Sequence, residues 1–272
     1  MLLIGFADLV YKRGAAAGAP AHQFLMVQTW VFLPTVAAYA LLSGSLPLVA
    51  GSLWGTCAGG FMLLGAYLFA RSLRTGSISI NAPVFRLSFV LTAALAVLVL
   101  GEPLTAAKAG GIALALAAAW LLLGTPAPDG GRGETRAALA QVLVATVAVG
   151  IGNFIYSLGL RAGAPPASLI VAQASFVCPL ATLLAAVRDG GIRPSRPALQ
   201  NAPLAGAALA LGSVFMVEAM ARVGASTSVP IAQMGFVVSA LLGFVFLREA
   251  FTWRKAAGIV IAVAALAGLA HG

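Results

Sequence analysis

The chain has 272 residues, of which 61% are hydrophobic and only 8% charged, with a formal net charge of +9. Soluble domains carry about 25% charged residues, so this composition excludes a water-solvated globular surface and requires most of the surface to face lipid. The positive excess does not point to nucleic acid, because Lys and Arg stand singly or in pairs at the ends of apolar runs and form no basic stripe.

The apolar runs match the roughly 20 residues that a bilayer-spanning helix needs. They lack the period-two alternation of barrel strands, and lipid leaves only the helix as the other way to pair every backbone amide. In chain order, spans are expected at 1–18, 22–43, 48–70, 77–99, 105–123, 137–160, 167–187, 202–221, 227–247 and 254–270. The first begins at Met1 with no basic stretch ahead of it, so no cleavable signal peptide is expected. It is also shorter at its amino end than the segment it aligns with, Ala137 to Tyr156. The longer connections, 124–136 and 188–201, are rich in Gly, Pro and charge, as loops are. Cys57 and Cys178 lie inside apolar runs and read as inert buried thiols.

The two halves repeat each other. At an offset of 145, Gly5, Tyr11, Gly14, Gly18, Pro20, Gln28 and Pro34 fall on Gly150, Tyr156, Gly159, Gly163, Pro165, Gln173 and Pro179, and Asp8 falls on Asn153. At an offset of 147, Pro83, Phe89, Glu102, Thr105, Lys108 and Gly111 fall on Pro230, Phe236, Glu249, Thr252, Lys255 and Gly258. The expected fold is an all-α polytopic membrane protein of ten transmembrane helices, arranged as two five-helix repeats at 1–123 and 137–272 joined by the loop 124–136. Five is odd, so the second unit enters the membrane from the opposite side and the repeat becomes inverted in space. Inverted repeats are typical of secondary transporters that bind solute near the midplane.

The turns LGEPLTAAKAGGI and LREAFTWRKAAGI, with the Gly-rich first helix that ends in Tyr11 and Lys12, resemble the EamA-like repeats of the drug/metabolite transporter superfamily. The resemblance covers the chain twice. It implies a ten-helix carrier, commonly an exporter of metabolites or drugs, and leaves the solute open.

Alternating loops sort the charges onto two faces. One carries Lys12, Arg13, Arg71, Arg74, Arg132, Arg136, Arg188, Arg193, Arg196, Arg248, Arg254 and Lys255, and the other carries Lys108, Arg161 and Arg222. The positive-inside rule makes the first face cytoplasmic, with Arg132/Arg136 and Arg193/Arg196 in cytoplasmic loops and both termini outside. The expected location is a bacterial inner membrane.

Charge inside a bilayer is costly, so intramembrane polar groups mark function by default. Arg86 lies too deep in the fourth span to snorkel easily; it is either paired with Asp8 or Glu218, or anchors a solute carboxylate or phosphate. Gln233 holds the equivalent position in the second half. Asp8 and Tyr11 share a helix face, repeated by Asn153 and Tyr156, and these are expected to wall a solute cavity or to bond between helices. Asp8 is the candidate for proton coupling. Gln28 and Gln173 form a further pair that either contacts solute or cross-links helices. Glu218 stands four residues before Arg222, which suggests a local ion pair, with a coupling role as the alternative. Pro83 and Pro230 are expected to break their helices beside Arg86 and Gln233, and Pro34 and Pro179 to act as paired kinks. The GxxxG spacings Gly14/Gly18, Gly159/Gly163 and Gly55/Gly59 suggest close packing or turns.

The leading expectation is a carrier that moves a small organic metabolite, polar or zwitterionic and with amino-acid-like or other carboxylate-bearing solutes among the candidates, outward by alternating access, with the bilayer and the solute as partners and neither cofactor nor metal. A proton-coupled exporter of cationic drugs centred on Asp8 is the first alternative. A pore, lipid-handling protein or scaffold is the second, and an intramembrane enzyme has no motif in its favour.

Overall fold

The computed structural model describes residues 1–46, 49–75, 84–123, 132–235, 237–238, 241–242 and 253–271. Pro83, Arg248, Glu249, Thr252 and most of the connecting loop, 124–131, lie outside the described residues. Among those described there are ten α-helices and no strand. They are α1 (Leu2–Ala16), α2 (Ala21–Leu42), α3 (Leu53–Thr75, preceded by a 3₁₀ turn at Ala50–Ser52), α4 (Ser88–Leu100), α5 (Ala106–Leu123), α6 (Arg132–Arg161), α7 (Pro166–Asp189), α8 (Arg196–Val223), α9 (Ala225–Gln233) and α10 (Trp253–His271). Among the described residues, five segments are long and apolar enough to cross a bilayer: Ala21–Leu42, Ala50–Ser72, Arg136–Arg161, Pro166–Asp189 and Arg196–Val223. Shorter apolar helices cover Val84–Leu100, Ala106–Leu121 and Ala256–His271. The chain is an all-helical polytopic membrane protein.

Helix ends follow local chemistry. Pro20 and Pro165 precede α2 and α7, where a missing amide proton costs nothing. Gly18 and Gly163 take matching left-handed φ values of 82° and 80° in the turns just before them. The helices also run further into the connections than the apolar pattern suggests: α8 begins at Arg196 and α6 at Arg132. Pro197 explains the first case, since proline in an opening turn pre-sets helical φ. Both extensions are polar and lie beyond the apolar part of the span.

Packing joins early helices to late ones. α3 packs on α6 and α7, α2 on α7 and α8, α1 on α8, α4 on α6 and α9, and α5 on α10. Glycines let backbones touch across these seams. A methyl group on Gly55 would lie 2.0 Å from the Leu169 carbonyl oxygen, and one on Gly206 would lie 2.5 Å from that of Gln28. The core is accordingly rich in Ala and Gly, as in membrane bundles that gain stability from close approach. Leu42, Leu98, Val187, Trp120 and Trp253 point outward as an apolar coat. Cys57 belongs to that coat as well: it is exposed, contrary to the buried thiol expected from its apolar run, while Cys178 is half-buried. An apolar run alone does not say which side of its helix turns inward.

The two ends of the bundle are tied separately. At one, His22 and Gln23 at the start of α2 bond to Asp189 at the end of α7, at 2.9 Å and 2.8 Å, and the Ser195 amide donates to Gln23 at 3.0 Å. At the other, the turn around Glu102 holds the start of α9.

Candidate functional site

Arg86 follows Val84 and Phe85 in a single helical turn that is interrupted at Leu87, before α4 begins at Ser88. α9 likewise stops at Gln233, with Met234 in a turn. At the first break Leu87 makes an i→i+3 bond to the Val84 carbonyl at 3.0 Å, and at the second the Met234 amide is shared between the carbonyls of Pro230 at 3.1 Å and Ile231 at 3.3 Å. The breaks come four residues after Pro83 and Pro230, and Pro230 itself lies inside α9. Discontinuous helices free backbone groups beside the side chains that flank them.

The two breaks meet. Arg86 Nη1 donates to Gln233 Oε1 at 2.9 Å, and Arg86 Nη2 is ion-paired with Asp8 Oδ2. Asp8 is brought there by α1, whose Gly5 lies so close to the Gly235 backbone that an added methyl would sit 2.3 Å from the Gly235 carbonyl oxygen. The guanidinium is 12% exposed and the Asp8 side chain 29%. Arg86 also lies at the C-terminal end of α9, the negative pole of that helix. Of the two partners considered for Arg86, Asp8 is therefore the one found. Glu218 instead approaches Arg222 at 3.9 Å, one turn along α8 and near the surface, where it lines a cavity of about 410 Å³ with Tyr39 and Phe215.

Two matched hydrogen bonds flank the cluster. The Tyr11 hydroxyl donates to Gln28 Oε1, and the Tyr156 hydroxyl to Gln173 Oε1. Each bond ties a Gly-rich helix to the one after it, so both glutamines link helices. Tyr11 further packs on Phe24, with ring centroids 4.6 Å apart. Pro34 and Pro179 lie inside α2 and α7, several residues beyond those glutamines.

Asn153 is 1% exposed, and its amide nitrogen has no hydrogen-bond partner among the described residues; the same holds for the hydroxyls of Ser157 and Ser88. Asn153 and Ser157 share a face of α6 with Thr146 and Gly150. Thr146 donates to the Val84 carbonyl at 3.0 Å, and the Gly150 carbonyl accepts from Thr92 at 3.0 Å. This face of α6 therefore runs beside the segment that carries Arg86. Unpaired buried polar groups are costly and call for a partner, whether water or solute.

Arg86, Asp8 and Gln233 are thus brought into direct contact, and Asn153 lies on a helix alongside them. Tyr11, Tyr156, Gln28 and Gln173 form two separate pairs. The Glu102 turn was visible in sequence only as a repeated motif with no assigned role. The His22–Gln23–Asp189 cluster carries no sequence signal, because its members lie about 166 positions apart. Among the described residues no group of three or more His, Cys, Asp or Glu is arranged to hold a metal ion.

No curated protein matches the sequence. One solved structure, described only as the crystal structure of a protein, is similar over 98% of this chain and 95% of its own, with 18% identity and a TM-score of 0.73, which shows a shared fold. The family model of the EamA-like transporter family matches residues 136–270. The chain belongs to that family, and thereby to the drug/metabolite transporter superfamily of membrane transporters.

Proposed function

We propose that the protein is a secondary carrier which moves a small carboxylate-bearing metabolite, outward, by alternating access between two inverted five-helix repeats. The repeats span 1–123 and 137–272, joined by 124–136, and together supply ten membrane spans. The matched Tyr–Gln bonds, the paired breaks at Leu87 and Met234 and the pairing of early with late helices support this arrangement.

The observation that carries the solute class is Arg86. Its guanidinium is only 12% exposed, carries a fixed charge and is held by one carboxylate and one neutral amide. A guanidinium fork matches a carboxylate in two parallel bonds. An incoming solute carboxylate would take the place of Asp8, while Gln233 and Asn153 meet its polar groups and Tyr11 and Tyr156 shape the walls. Asp8, once released, is free to take up a proton, which supports coupling as a second reading of the same geometry. A cation exporter centred on Asp8 has less support, because that carboxylate is already committed to Arg86.

The orientation follows the charge count. Arg13, Arg188, Arg193 and Arg196 lie towards the end where Asp189 meets His22, which supports that face as cytoplasmic in a bacterial inner membrane. A carboxy-terminal reporter active only in the cytoplasm overturns this orientation.

Reconstitution into liposomes tests the function. A carrier saturates and shows counterflow of labelled carboxylates, whereas a pore shows neither. Arg86→Ala should lower uptake about tenfold or more, the equivalent of one charge-assisted hydrogen bond. Unchanged uptake removes Arg86 from the site. Asp8→Asn should abolish proton-driven exchange while sparing downhill flux.

A further inference from the structure

Glu102 takes no part in the cluster around Arg86, yet both of its carboxylate oxygens are engaged. They accept from the backbone amides of Ala225 at 2.9 Å and Ser226 at 2.8 Å. These residues open α9, and the first amides of a helix have no partner within it. The carboxylate therefore caps α9 at its positive pole. Lys108, buried one turn into α5, sends Nζ to Ser226 Oγ at 3.3 Å and to the Pro103 carbonyl at 3.0 Å. Gly224 joins α8 to α9 at φ 82°, and a methyl group there would lie 2.6 Å from a Glu102 oxygen. The turn from Glu102 to Lys108 thus grips the first turn of α9 at three points, against a junction that only glycine fits.

α9 has nine residues. At 1.5 Å per residue it is roughly 13 Å long, about half of a hydrocarbon core of roughly 30 Å. One end sits on Glu102 and the other, Gln233, on Arg86. A short helix is stiff, so a shift at the clamp is delivered to the guanidinium.

We propose that Glu102 is a positioning residue of the carrier: its hold on α9 sets Gln233 against Arg86 and keeps the bundle shut at the face of the Glu102 turn, and its release opens that face. The proposal rests on Arg86 as the solute site and adds the contact that governs it from a distance. In sequence, Glu249, Thr252 and Lys255 stand where the repeat places the counterparts of Glu102, Thr105 and Lys108.

The test uses Ser226, which is fully buried under the clamp. In a Cys57→Ala/Cys178→Ala background, Ser226→Cys supplies a single thiol for a membrane-impermeant methanethiosulfonate reagent. With Glu102 intact, labelling of the folded protein is slow. Glu102→Gln replaces charge-assisted bonds with neutral ones and should speed labelling about tenfold. Glu102→Asp, one methylene shorter, should change it in the same direction and serves where the Gln variant does not fold. In transport, the clamp variants should raise KM for the solute, whereas a purely structural brace lowers only the amount of folded protein. Equal labelling rates with and without the clamp overturn the proposal. Labelling needs no solute, so its failure is distinct from failure of the Arg86 site, which Arg86→Ala reads by uptake.

Discussion

The Asp8–Arg86 pair should be strongly asymmetric under mutation. A carboxylate left alone can take up a proton and become neutral, but a guanidinium cannot give one up. Asp8→Ala strands a permanent charge in a side chain only 12% exposed, with Gln233 as its remaining partner among the described residues. Breaking a buried pair in this way costs about 3–5 kcal/mol. Arg86→Met leaves a carboxylate that is 29% exposed and can take up a proton, and should cost at most about half as much. The double variant Asp8→Ala/Arg86→Met removes both charges and restores apolar volume, so its stability should come within about 1 kcal/mol of the parent. For a chain of this size 1 kcal/mol corresponds to roughly 2–4 °C in Tm, so Asp8→Ala should melt roughly 6–20 °C below the parent while the double variant nearly recovers. The assay is heating of detergent-purified protein, followed by the fraction that remains monodisperse. If the double variant is as unstable as Asp8→Ala, the penalty does not come from an unpaired charge and the reasoning fails. Both variants that lack Arg86 should lose transport, since the solute anchor is missing in each.

Glycine positions offer a sharp contrast. Gly55→Ala puts a methyl 2.0 Å from the Leu169 carbonyl oxygen, so α3 and α7 must part, and melting should drop by several degrees or folding fail. Gly110→Ala on α5 meets nothing within 4 Å and should gain about 0.5–1 kcal/mol by the same thermal assay. Tyr156→Phe leaves the buried Gln173 carbonyl without its donor and should cost about 1–3 kcal/mol. Tyr11→Phe should cost less, because Gln28 is held by a residue that is less deeply buried; equal losses by thermal melting count against this. Asp189→Asn should loosen the opposite end of the bundle, measured as faster proteolysis near Gly190, because it weakens two bonds at once.

Much of the fold was legible because lipid imposes a simple rule on the chain. Apolar length located the helices, and Gly18, Gly163, Pro20 and Pro165 marked their turns. The partner of Arg86 was narrowed to two carboxylates, and the geometry selects Asp8, which is contributed by a different helix. What sequence could not separate was the role of each polar pair. Gln28 and Gln173 read in sequence as solute contacts or, more readily, as cross-links, and their bonds to Tyr11 and Tyr156 agree with the latter. Glu102 was aligned with Glu249 without a function, because a side chain that caps a distant helix leaves no local trace. Cys57 is exposed despite its apolar run, because composition gives depth in the membrane and not direction around the helix axis.

The pairing of early helices with late ones also bears on how the protein is made. α1, α2 and α3 leave the ribosome well before α6, α7 and α8, on which they chiefly pack. The nascent first half must wait in the bilayer with glycine-lined seams such as that at Gly55 unfilled. Assembly is therefore a late event that depends on helices synthesised in the second half of the chain. Neither half should persist when made alone, while two separately encoded fragments, 1–123 and 132–272, should find each other in the same membrane.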